Sequence, residues 1–158
     1  MNFHCKIKAN PAETKVIWKV KVKTANETDA GTTEDLEISV CEKSICCTMK
    51  ILNSPLSEAE SYTLSGKALD ECELRKFPKT SEYFNVTLSL LTNKDSDSDE
   101  WLNEKVEIEF SNNETISCNN NQRWIQDFQD PEKASDTSII LRCWKDYDPT
   151  LIGNKKSK

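Results

Sequence analysis

Glycine and histidine are scarce in this chain: there are three glycines, Gly31, Gly66 and Gly153, and one histidine, His4. Each scarcity excludes a class of chemistry. A serine hydrolase of the nucleophile-elbow type sets its serine between glycines and supplies a histidine base, and no serine here has that setting. A zinc centre needs clustered Cys or His at tight spacing. Cys41, Cys46 and Cys47 are close, but no CxxC pair and no second histidine accompanies them. His4 adjoins Cys5, yet neighbours on an extended chain point to opposite faces, so a disulfide cysteine beside a surface histidine is the simpler reading than a nucleophile pair. The residue inventory points away from enzymatic activity. Long apolar runs are also lacking, none approaching the ~18 residues of a membrane span. The net charge of −6 argues against nucleic-acid binding as the main task.

Cysteine, by contrast, is plentiful. Seven in 158 residues suggest an oxidising compartment. Three sequons agree, with acceptors at Asn26, Asn85 and Asn113, each followed two residues later by threonine. The chain therefore reads as a secreted, extracellular glycoprotein. "MNFHCKIKANP" has no apolar leader core, so the sequence reads as a mature or trimmed form. Cys41 with Cys46 or Cys47 would staple a hairpin. Because Cys46 and Cys47 point to opposite faces, one of them can pair across the fold with Cys72. Each long-range bridge adds roughly 2–4 kcal/mol, which helps a chain whose hydrophobic share is only 36%.

The dominant period of the apolar residues is two. "VIWKVKVKT" sets Trp18, Val20 and Val22 against Lys19, Lys21 and Lys23, and "DLEISVC" sets Leu36, Ile38 and Val40 against Glu37 and Ser39. "ICCTMKIL" follows the turn "CEKS" as the second strand of a hairpin. "CELRKF", "YFNVTLSLL", "KVEIEF", "ETISC", "RWIQDF" and "SIILRCW" read as further strands. Between "ICCTMKIL" and "CELRKF", the stretch "NSPLSEAESYTLSGKALDE" reads as a long loop or a short helical turn. About eight or nine short strands without an amphipathic helix predict an all-β antiparallel sandwich stabilised by disulfides. Residues 1–15 form an N-terminal extension or edge strand, 16–145 the sandwich, and 146–158 a flexible tail. Lys6, Lys8, Lys15, Lys19, Lys21 and Lys23 crowd the start; a solubilising outer face is preferred to a basic face for anionic lipid or polyanions.

The ordered set "VKVKT", "DAGTTEDLEISV", "NVTLSLLTNKDSDSDEW", "KVEIEF" and "ISCNNNQRWIQD", spanning roughly residues 16 to 127, resembles the PLAT (polycystin, lipoxygenase, alpha-toxin) or lipoxygenase-homology domain. The ending "ISC…ILRCW" also resembles the last cysteine pair of the C-terminal domain of pancreatic-type lipases. The resemblance implies an eight-stranded β-sandwich acting as an accessory module, a Cys118–Cys143 disulfide, and a buried Trp124-Ile125 pair. Cys5 is then left as the odd thiol or an intermolecular partner. The implied partner is a lipid or membrane surface, or a receptor protein. Two alternatives are a secreted effector of venom, salivary or parasite type that binds a host protein, and the isolated accessory domain of a lipase-type enzyme. Small-molecule carriage is disfavoured by the thin core.

No cofactor is called for, calcium at the first tip being the single candidate. Asp29, Thr32, Glu34 and Asp35 supply oxygens there, although a solvated turn is the preferred reading. Asp95, Asp97, Asp99 and Glu100 mimic the start of an EF-hand loop but lack its sixth-position glycine and twelfth-position glutamate, so that motif fails. Trp18 and Trp101 lie on inward registers and read as core. Trp144 with Tyr147 is the candidate membrane or partner contact, although core or edge-covering packing is the preferred reading.

Overall fold

The computed structural model describes residues 13–53, 55–66, 69, 72, 75–91, 100–120, 122–126 and 136–145. It is built from strands β1 (Thr14–Lys15), β2 (Ile17–Thr24), β3 (Leu36–Glu42), β4 (Ile45–Ile51), β5 (Ser61–Ser65), β6 (Phe77–Pro78), β7 (Tyr83–Leu90), β8 (Glu100–Trp101), β9 (Asn103–Phe110), β10 (Thr115–Asn119), β11 (Ile125–Gln126) and β12 (Ser138–Lys145). Eight of these form one antiparallel sheet in the order β4-β3-β7-β12-β10-β9-β2-β5. The link in its middle is short, pairing only Ile116 with Lys145 and Ser117 with Trp144. Two four-stranded halves therefore meet along a narrow seam and close over one core, giving the expected sandwich. Phe84 on β7 and Phe110 on β9 are not on neighbouring strands, yet their rings lie 5.2 Å apart, so the contact crosses the interior. Phe77 on β6 closes the cluster edge-on, 5.4 Å from Phe84.

Alternation explains most of the burial. On β3, β7 and β9 the residues Leu36, Ile38, Val40, Phe84, Val86, Leu88, Val106, Ile108 and Phe110 all point inward. The outward positions of β2 and β9 are charged and matched: Lys19 faces Glu109 at 3.6 Å, Lys21 faces Glu107 at 3.4 Å, and Lys23 reaches Glu104 at 3.6 Å. Lys19, Lys21 and Lys23 are thus neutralised along the sheet. Exposed pairs of this kind contribute about 0–1 kcal/mol each, so the ladder mainly keeps the face soluble.

Two expectations are corrected. Trp18 is 51% exposed rather than core, because the pairing of β2 with β9 slips between Ile17 and Lys19. That bulge turns Ile17 inward and leaves Trp18 and Lys19 both outward. The stretch expected as a loop contains edge strand β5, which pairs with β2 from Lys19–Ser65 to Lys23–Ser61. Leu64 is its single buried residue, so a polar edge strand left almost no apolar signature. Conversely, Phe77 is the only described residue of "CELRKF" in a strand.

The cysteines pair as Cys41–Cys46, Cys47–Cys72 and Cys118–Cys143. Cys41 and Cys46 face each other in the β3–β4 hairpin, whose turn uses Lys43 at φ 55°. Cys118 and Cys143 continue the β10–β12 register by one step and lock the seam, with Cα atoms 4.5 Å apart. Cys5 lies outside the described residues.

Candidate docking surface

Strand register sorts the loops to two ends of the sandwich. The β2–β3 tip, the start of β9, the end of β4 and the end of β7 share one end, since Thr24 pairs with Asn103, Leu36 with Ile51, and Leu36 with Leu90. The start of β2, the β9–β10 turn, the end of β12 and the start of β7 share the other, since Ile17 pairs with Phe110, Ile116 with Lys145, and Trp144 with Tyr83.

The first end is fastened down. Leu102 N–H donates to Ala30 O at 3.0 Å, and Thr32 and Leu56 exchange backbone hydrogen bonds of 3.0 and 2.8 Å. Ala30, Thr32 and Glu34 are buried, while residues 26–29 and Thr33 are exposed. Gly31 sits where a Cβ would lie 2.7 Å from Leu56 O. Its role is close approach, while the positive φ of this turn is carried by Asp29 at 64°. The candidate calcium ligands are engaged or apart. The Thr32 hydroxyl accepts the Glu34 N–H at 3.0 Å, the Asp35 carboxylate accepts the Asn53 N–H at 2.8 Å, and Asp29 is exposed. Among the described residues, no group of three or more metal-ligating side chains comes together. Asp95, Asp97 and Asp99 lie outside the described residues; Glu100 is half-buried on β8. Beside it Trp101 is fully buried, its indole N–H donating to the Thr24 hydroxyl at 2.8 Å.

The opposite end carries aromatic surface. Trp144 and Tyr83 are cross-strand partners with ring centroids 6.0 Å apart, exposed to 45% and 44%. The bulge places exposed Trp18 at this same end, on the outward face of the other half of the sandwich. Beneath them Glu114 receives hydrogen bonds from Lys15 and, at 2.9 Å, from Lys145. Burial pushes the Glu114 carboxyl up, but the hydrogen bonds and charges of the two ammonium groups outweigh it and hold the group below its ordinary 4.5. Trp144, a candidate contact for which the sequence reading prefers core or edge-covering packing, is exposed; Tyr147 lies outside the described residues. Tyr83 was legible in the alternation of "YFNVTL", whose inward Phe84 and Val86 require an outward Tyr83. Trp18 was not. Trp124, expected to be buried with Ile125, is half-buried, whereas Ile125 is fully buried.

The sequons occupy different settings. Asn26 and Asn113 sit exposed in turns, and Asn85 lies half-buried in the middle of β7.

No protein-family model matches the sequence, and no curated protein matches it. Its fold is similar to part of solved lipoxygenase structures. A deletion variant also carrying an isoleucine-to-tryptophan substitution gives a TM-score of 0.59 at 14% identity, over 90% of this chain and 19% of that one. The deletion variant without that substitution gives 0.58 at 14% identity with the same coverage. An anaerobic structure of it in complex with arachidonate gives 0.55 at 16% identity, again over 90% and 19%. The fold is that of a lipoxygenase-type β domain. This chain spans about a fifth of the proteins it resembles.

Proposed function

We propose that the chain is a non-catalytic, extracellular PLAT-like module that docks on a lipid surface through the end bearing Trp18, Tyr83 and Trp144. The observation that carries the reading is their placement: strand register sets three of the five exposed large apolar side chains described, and all three of the aromatic ones, at one end of the sandwich. Trp and Tyr favour the boundary between water and hydrocarbon, because an apolar ring carries a polar atom that stays hydrated. Extracellular placement is supported by the three disulfides. Among the described residues, no helix is long and apolar enough to cross a membrane, in keeping with surface docking.

The non-catalytic reading is supported by the scarcity of histidine and of glycine-flanked serine. It is also supported by the match to a small β domain rather than to the bulk of a lipoxygenase. Flotation with phosphatidylcholine vesicles, with and without anionic lipid, tests the proposal. Co-flotation is the expected result. Absence of binding to both vesicle types would overturn lipid docking and transfer the aromatic end to a protein partner.

A further inference from the structure

The outer face of β3, β7 and β12 differs from the charged ladder of the other half. It holds a broad groove of 760 Å³ lined by Cys41, Asn85, Thr87, Arg123, Ile140 and Arg142, among others. That volume falls within the range of about 300–1,000 Å³ typical of ligand clefts. Ile140 is the most exposed large apolar side chain described, at 57%. It is the cross-strand partner of Thr87, and Asn85 is the partner of Arg142 on one side and Cys41 on the other. The acceptor asparagine and the threonine of the second sequon thus both stand in this groove.

We propose that Asn85 carries an N-linked glycan whose first sugars lie in the groove and cover Ile140. A pyranose ring matches this lining: its C–H face packs on an aliphatic side chain, while its hydroxyls and acetamide hydrogen-bond to threonine and arginine. A glycan at Asn113, exposed in the β9–β10 turn, would project into solvent instead and is the turn glycan used for comparison. In the transfer step the Asn85 amide nitrogen gives up one proton, taken up by the departing diphosphate, and bonds the anomeric carbon of a lipid-linked oligosaccharide diphosphate. That carbon's bond to the diphosphate oxygen breaks, and the lipid diphosphate leaves with the electron pair; nothing is oxidised or reduced. Because the backbone of β7 pairs with a strand on either side, the transfer precedes sheet closure.

The inference rests on the extracellular placement proposed above. It is tested on the full chain secreted from eukaryotic cells behind a cleavable leader, with all three sequons mapped by mass spectrometry. Asn85 is expected to be occupied. In the folded protein a glycosidase should release its glycan about tenfold more slowly than a turn glycan, the factor matching ~1.4 kcal/mol of packing. After reduction and denaturation the rates should be equal, and Ile140→Ser should speed release in the folded state. A bare Asn85 with glycan on Asn26 or Asn113 overturns this inference alone. Equal release rates in the folded protein overturn the seating in the groove. Glycan on none of the three overturns both this inference and the extracellular reading.

Discussion

The ammonium of Lys15, whose side chain has no exposed surface, donates to the carboxylate of Glu114, 99 residues away along the chain. The same ammonium donates to Ser81 O at 2.7 Å and sits 4.6 Å from the Phe110 ring centroid. Lys145 reaches Glu114 from β12. One carboxylate thereby ties β1, β12 and the β9–β10 turn together beneath the aromatic end.

Removing that carboxylate strands a buried cation. Glu114→Ala is expected to destabilise the protein by about 1–3 kcal/mol, because the buried ammonium loses its counter-charge but keeps Ser81 O and the Phe110 ring. Lys15→Met should cost less, because it removes the buried charge itself and leaves Glu114 paired with Lys145. Urea denaturation of the two variants checks the order.

The same pair sets an acid limit. Glu114 and Glu107 both titrate below their ordinary 4.5 in the folded protein. For Glu107, burial raises the value, while the charges and hydrogen bonds of Lys105 and Lys21 more than reverse it. A carboxylate with a lowered folded-state pKa contributes stability that is present above its unfolded-state value and lost as pH falls through the folded-state value. The unfolding free energy should therefore decline as pH drops below about 4.5, and the decline should be shallower in Glu114→Ala.

Trp18 and Trp101 are expected to behave oppositely. Trp101→Ala removes a fully buried ring and its bond to Thr24 and should cost about 3–5 kcal/mol. Trp18→Ala, at the exposed bulge, should change stability by less than about 0.5 kcal/mol. Thermal unfolding distinguishes them.

Gly31→Ala places a methyl group against the Leu56 carbonyl. Backbone on both sides has little room to move, so a loss of about 1–3 kcal/mol is expected. Gly66→Ala meets no neighbouring atom within 4 Å but lies at φ 59°, so its cost comes from backbone strain alone.

The sandwich was legible because alternation survives wherever one face is buried, as along Leu36–Val40 and Phe84–Leu90. Cys41–Cys46 and Cys47–Cys72 resolve the choice that spacing had left open. The candidate surface was half legible. Trp144 and Tyr83 follow from strand parity, but Trp18 was assigned to the wrong face, since a single bulge inverts parity and leaves no local sequence mark. Strand β5 was hidden because an edge strand with one buried side chain looks like a polar loop. The tip's acidic composition offers cation ligands, although a solvated turn is the preferred reading of the sequence. In the fold, the Thr32 hydroxyl and the Asp35 carboxylate accept backbone N–H groups instead.

Vesicle partitioning of aromatic-end variants tests the docking proposal most directly. Trp144→Ala with Tyr83→Ala should lower the partition coefficient about tenfold, a change of ~1.4 kcal/mol. Leu52→Ala, equally exposed at the opposite end, should leave it unchanged. An unaltered partition coefficient in the double variant, or an equal loss from Leu52→Ala, would contradict docking through this end.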